Sequence, residues 1–232
     1  MSAPGQWLRE HRHEALVLGA VTCMFAFTYL TRADLLGTER RGSAWTQVSG
    51  PIRSPFVHFV AAGMLLGLIP SVLACWFLKR SPRSLGLGLG NVRRGSVWLA
   101  VGIPLAVLAG KIASNSPAMR AVYPLDPELT LGRFLPHAAK AFLYYGAWEV
   151  LFRGVLLFGL KDRLGEGMAN ALQTALSVTA HFGRPMDETF SALPAGVVFG
   201  WIGLRVGSVW YVGLIHWVLG MSMEVFILGG AG

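Results

Sequence analysis

The sequence predicts an all-α, polytopic bundle of about seven transmembrane helices, within a range of roughly six to eight. Three observations carry that prediction. Of the 232 residues, 53% are hydrophobic and only 14% are charged, whereas a soluble domain carries about 25% charged residues. Mean hydropathy is +0.52. Charge-poor windows recur along the chain at close to the roughly 17–25 residues that a helix needs to cross a bilayer. Little sequence is left for a separate soluble domain. Residues 1–232 therefore read as one integral membrane domain, with a core of helices in 138–228.

The windows follow in order. The first lies between Glu14 and Arg32. The second runs from Arg53 to Lys79, broken by His58. The third lies between Arg94 and Lys111. The fourth covers residues 141–160 and contains Glu149 and Arg153. The fifth lies between Glu166 and Arg184, the sixth between Glu188 and Arg205, and the seventh covers residues 208–228. Pro70, Pro104 and Pro194 fall within or at the start of windows, which membrane helices tolerate when neighbours satisfy the freed carbonyls. Ala192, Gly196 and Gly200 repeat every four residues on the sixth, so that face should approach another helix closely. A polar stretch precedes the first window. No small-x-small cleavage site lies before Arg32, so an uncleaved first helix is expected.

The formal net charge is +8. Basic residues cluster between windows without interleaved stacking aromatics, which points to anionic lipid rather than nucleic acid as their partner. Residues 79–94 hold five basic residues and no acid, the strongest cytoplasmic marker in the chain. Placing them inside puts the N-terminus inside. Over all loops 10 basic residues then fall inside and 9 outside, so the density of one short loop decides the topology. Cys23 and Cys75 sit in separate apolar windows and read as small buried hydrophobes.

Charge inside the windows is the functional signal. Each ionised side chain at the centre of a membrane helix costs roughly 2.5–3.5 kcal/mol on insertion scales. The run YGAWEVLFRG at residues 145–154 places Glu149 and Arg153 four residues apart, about 6 Å along a helix and on one face. An ion pair there would hold the carboxylate ionised. His181 precedes Gly183 and Pro185, a helix-stop signal, and so lies near a helix end. His216 falls in the middle of the last window. His11 and His13 are in the polar tail, and His58 and His137 read as interfacial. An acid that takes a proton from water and imidazoles that stabilise an oxyanion are the parts that peptide hydrolysis needs. No Ser or Cys is obviously paired with either histidine.

At these residues the chain resembles the CPBP family, which comprises CAAX prenyl proteases and bacteriocin-processing membrane proteins. That family shows Glu-Glu-x-x-x-Arg on one span, a His on a second and His-x-x-x-Asn on a third. The resemblance runs over residues 141–226 through Glu149, Arg153, Gly154, His181 and His216. It implies a glutamate-type intramembrane endopeptidase with Glu149, Arg153, His181 and His216 as catalytic residues. Three positions depart from the pattern. Trp148 stands where the family has its first Glu, its usual general base, so Glu149 would serve as the base. Ser177 replaces a Phe four residues before His181. Gly220 stands at the final Asn, and Glu224, one turn on, is the candidate substitute. Trp148, Gly220 and Glu224 are thus possible accessory positions. The W-E-x-x-F-R-G pattern is similar to myxosortase-like sorting branches, implying a C-terminal sorting signal of an exported or membrane-anchored protein as substrate. The implied location is the bacterial inner membrane, with the site on the extracytoplasmic side.

Two other functions fit the same residues. Glu149, His181 and His216 could ligate a catalytic zinc, although no His-Glu-x-x-His spacing is present and Arg153 would repel a cation. The expected cofactor is therefore none. A catalytically inactive family member, acting as a membrane scaffold or a proton-linked transporter, would also bury a Glu/His set, although no repeated half is apparent.

Overall fold

The computed structural model describes residues 10–31, 55–124, 126 and 128–230. The polar tail before Glu10 and the connection over 32–54 lie outside the described residues. The helices in chain order are α1 (Arg12–Thr31), α2 (Pro55–Ala62, Gly63–Leu68 and Ile69–Leu78, continuous), α3 (Val92–Ala113), the short α4 (Pro117–Arg120), α5 (Phe134–Glu149, Val150–Phe158 and Gly159–Leu164, continuous), α6 (Glu166–Thr179), α7 (Met186–Val206) and α8 (Trp210–Gly229). No strand occurs among the described residues. The protein is an all-α polytopic bundle.

Contacts between helix ends define its two faces. At one end Arg80 pairs with Asp162 at 2.8 Å, Arg163 approaches Glu14 at 3.9 Å, and Arg94 reaches the Arg205 carbonyl. At the other, Ser116 donates to Asp187 at 2.6 Å and the Tyr123 hydroxyl to Glu188 at 3.0 Å. Six helices (α1, α2, α3, α5, α7 and α8) are long and apolar enough to cross a membrane. The fifth expected span is α6, which has 14 residues. It is about 21 Å long at 1.5 Å per residue, short of the ~30 Å hydrocarbon core. It still links the two ends of the bundle, because it starts where α5 finishes and stops before α7 begins.

α5 is the central helix. In its most apolar window 83% of residues are buried, against 11% for α3. An apolar residue such as Phe152 or Leu156 therefore meets protein on every side, packed against Leu16 and Phe27 of α1 and Leu66 and Ala74 of α2. α3, by contrast, turns Val97, Val101, Leu105, Leu108 and Ile112 outward, where lipid covers them.

The small residues expected on the sixth window do bring helices together. Gln173 of α6, fully buried, donates to the Gly196 carbonyl at 3.0 Å, and Asn170 donates to the Val197 carbonyl at 3.0 Å. A Cβ built on Gly200 would run into the Asn170 side chain. We expect Gly200→Val to destabilise the protein by about 1–3 kcal/mol, the usual cost of overpacking, read as a lower unfolding temperature in detergent. An unchanged temperature would show that α6 and α7 can separate without loss.

Candidate active site

The site forms where α5 changes its winding. Glu149 is the last residue of a regular α-helical run, and residues 150–158 continue as a wider π-helical run. Such i→i+5 turns are rare and often mark functional sites. A Cβ on Gly154 would lie within 3.2 Å of the Leu85 carbonyl, so this stretch also packs tightly on the 82–85 turn.

Glu149 is fully buried and Arg153 is 2% exposed. Arg153 Nη1 donates to Glu149 Oε1 at 3.2 Å, the pairing that their spacing predicts. The same oxygen accepts from Nδ1 of His216, on α8, at 2.8 Å. A carboxylate can only accept, so His216 Nδ1 carries the proton, and in the neutral ring Nε2 is left as an acceptor. Glu149 Oε2 is buried and meets no protein donor among the described residues.

A cavity of about 410 Å³ opens beside this pair. Its wall includes Tyr145, Trp148, Arg153, Ser177, His181 and His216, but not Glu149. The carboxylate lies behind the His216 ring, and the ring faces the cavity. Tyr145 packs edge-on against that ring, with centroids 5.0 Å apart, and Phe199 lies 5.8 Å away. The Arg153 guanidinium crosses the Phe199 face at 5.6 Å.

His181 follows the end of α6. Its Nδ1 donates to the Ser177 carbonyl at 2.7 Å, and Nε2 lies 4.0 Å from Glu188 Oε1. Trp148 packs edge-on against it at 5.1 Å. α5, α6 and α8 therefore bring Arg153, His181 and His216 to one cavity wall, with Glu149 bonded to two of them but off that wall.

The accessory positions divide. Trp148 and Gly220 lie on the cavity wall. Glu224 does not, which corrects the expectation that it could stand in for the missing Asn. Eight residues beyond His216, it is rotated by about 80° around α8. It binds His137 of α5 at 2.8 Å, with both side chains buried. His137, expected at the interface, is half of a buried interhelical pair. His58, also expected at the interface, is 2% exposed, with its ring centroid 5.3 Å from Phe27 and 5.6 Å from Tyr144. His58 lies near the start of the second window, and His137 precedes the fourth, whose helix already begins at Phe134.

Among the three residues considered as zinc ligands, Glu149 carries the Arg153 guanidinium at 3.2 Å, a cation beside the one anionic donor. Glu149 Oε1 already accepts from Arg153 and His216, and Nδ1 of His181 is held by Ser177. No group of three His, Cys, Asp or Glu side chains that could hold a metal occurs among the described residues.

Residues 135–221 match the family described as Rce1-like: Type II CAAX prenyl endopeptidase Rce1-like. This segment belongs to the CPBP family. The Rce1-like segment runs from the start of α5 to the middle of α8 and contains all four residues around the cavity. The family comprises intramembrane proteases, and six apolar helices of spanning length make this chain an integral membrane protein. No curated protein and no solved structure matches the chain.

Tyr145 also lines the wall, and its sequence context does not single it out. The available signal was its position four residues before Glu149, on the same face of α5. Nothing distinguished its hydroxyl from that of any interfacial tyrosine.

Proposed function

We propose that the chain is an intramembrane endopeptidase in which Glu149 activates water through His216. The observation that carries this reading is the 2.8 Å bond from His216 Nδ1 to a fully buried carboxylate, on a ring that itself lines the cavity. The arrangement has the logic of an acid that orients an imidazole and stabilises its charged form. Water gives a proton to His216 Nε2 as its oxygen adds to the scissile carbonyl carbon. The imidazolium then returns that proton to the amine as the C–N bond breaks. Arg153 fixes the carboxylate. His181 Nε2, an acceptor in the neutral ring, orients the same water. No metal takes part, so a chelator should leave the rate unchanged.

A second reading has Glu149 Oε2 as the direct base, and the absence of a protein donor to that oxygen favours it. His216→Ala separates the two: it abolishes cleavage in the first and spares part of it in the second.

The substrate is proposed to be a membrane-anchored or exported protein carrying a C-terminal sorting signal. The two probes are an internally quenched single-span peptide with a basic C-terminal tail and a farnesylated, internally quenched CaaX peptide. Cleavage of the first alone supports the sorting reading, and cleavage of the second alone overturns it in favour of a prenyl-peptide substrate. If neither is cut by the folded protein, the inactive scaffold or transporter reading takes its place. The basic end of the bundle supports a cytoplasmic placement for residues 79–94, which turns His181 and the cavity mouth to the extracytoplasmic side of a bacterial inner membrane.

His181 touches water but accepts no proton in this scheme. His181→Ala should lower kcat/KM by about 10- to 100-fold, the scale of a positioning loss, on whichever probe the wild type cleaves. A loss as large as that of His216→Ala would give His181 a proton-transfer role.

A further inference from the structure

Adding water to a peptide carbonyl puts negative charge on the carbonyl oxygen, and hydrolysis needs a donor aimed at it. The two histidines are poorly placed to supply one. Each has Nδ1–H committed, His216 to Glu149 and His181 to the Ser177 carbonyl. In their neutral forms both therefore offer lone pairs to the cavity. His216 gains a second N–H only by taking the proton from water, and that proton is destined for the leaving amine. Arg153 gives Nη1 to Glu149, its guanidinium lies across Phe199, and its Nε, with no partner among the described residues, is buried away from the cavity space.

Tyr145 has what the histidines lack. Its ring stands edge-on to His216, and it lines the same cavity. Its hydroxyl makes no hydrogen bond to any described residue, so the O–H is available. Phe59, Ala138, Ala141 and Met221 pack with it in one buried cluster, which holds the ring in place.

Gly220 explains how the hydroxyl comes to be there. A Cβ built on Gly220 would collide with Oη and Cζ of Tyr145. The phenol thus occupies the space of a side chain at 220, one turn after His216. That is the position at which the third-span pattern of the resembled family carries Asn. Gly220 and Tyr145 form a matched pair, one supplying the space and the other filling it.

We propose that Tyr145 is a catalytic residue whose O–H donates to the scissile carbonyl oxygen as it becomes an oxyanion. The proton stays on the phenol throughout. Water's proton goes to His216 and then to the amine, so the step balances without any further reactant. Gly220 is the position that admits the phenol. This rests on the endopeptidase reading.

The test uses the purified full-length chain in detergent with the two quenched peptides. Tyr145→Phe keeps the ring and its packing. It should lower kcat by about 10²–10³-fold, the loss on removing one oxyanion donor, with KM within about twofold and the unfolding temperature unchanged. Gly220→Asn alone should be similarly slow, because its side chain displaces the phenol. The pair Tyr145→Ala with Gly220→Asn should recover at least about tenfold over Tyr145→Ala, since the amide N–H₂ can then donate from the vacated space. A folded Tyr145→Phe with wild-type kcat would overturn the proposal. So would a folded double variant no faster than Tyr145→Ala, which would assign Tyr145 to packing. If the folded wild type cleaves neither peptide, the endopeptidase reading falls and takes this proposal with it. An active wild type with an unaffected Tyr145→Phe removes this proposal alone.

Discussion

Glu149→Gln should lower kcat/KM by about 10⁴-fold while the protein still inserts and folds. Gln has nearly the size and shape of Glu, so the α5–α8 packing around a fully buried side chain is kept. What changes is the acceptor at His216 Nδ1. A carboxylate only accepts, whereas an amide can present N–H₂ to the ring and force the other tautomer. The imidazolium formed after proton transfer also loses its counter-charge. The same change at the acid of a Ser-His-Asp triad costs about 10⁴ in kcat, and the expected magnitude is taken from that case. The measurement is steady-state cleavage of the peptide that the wild type accepts, with folding checked by gel filtration and thermal unfolding. Wild-type turnover by the variant would remove Glu149 from the chemistry.

Arg153→Ala should have the largest effect on stability. Both members of the Glu149–Arg153 pair are buried, and their 3.2 Å contact is charge-assisted. Removing one partner of a buried ion pair costs about 3–5 kcal/mol, because the remaining charge is left without compensation. In a chain of this size that is a fall of about 6–20 °C in apparent Tm, at 2–4 °C per kcal/mol. His216 still holds Glu149 Oε1, so the carboxylate keeps one of its two partners. The double variant Arg153→Ala with Glu149→Gln should be more stable than Arg153→Ala alone, since it no longer buries an unmatched charge. Neighbours that share a contact are coupled in this way. Equal stability of the two variants would mean that Arg153 contributes packing only.

The helices and the four central residues were legible for one reason. Charge is expensive in a membrane, so the chain spends it sparingly, and the gaps between charges outline the helices. The same cost makes Glu149, Arg153, His181 and His216 conspicuous. What was not legible depends on rotation about helix axes. A periodic reading assumes uniform α-helix, but residues 150–158 are wound as a π-helix, which changes which side chains share a face after Glu149. Glu224 lies one turn beyond Gly220 and about 12 Å along α8 from His216, and its direction takes it to His137. The burial of Glu149 behind His216 could not be read either, because spacing along α5 says nothing of how α8 is turned. Tyr145 depends on two helices at once, since its role is visible only beside the missing side chain of Gly220.

Glu149 and His216 are proposed to act as one unit. The most direct test is a double-variant cycle of Glu149→Gln and His216→Ala on the peptide cleaved by the wild type. Groups that work together are strongly non-additive. The double variant should be no slower than the slower single variant, each having already removed the unit. Losses that multiply, or a His216→Ala protein that keeps wild-type turnover, would contradict it.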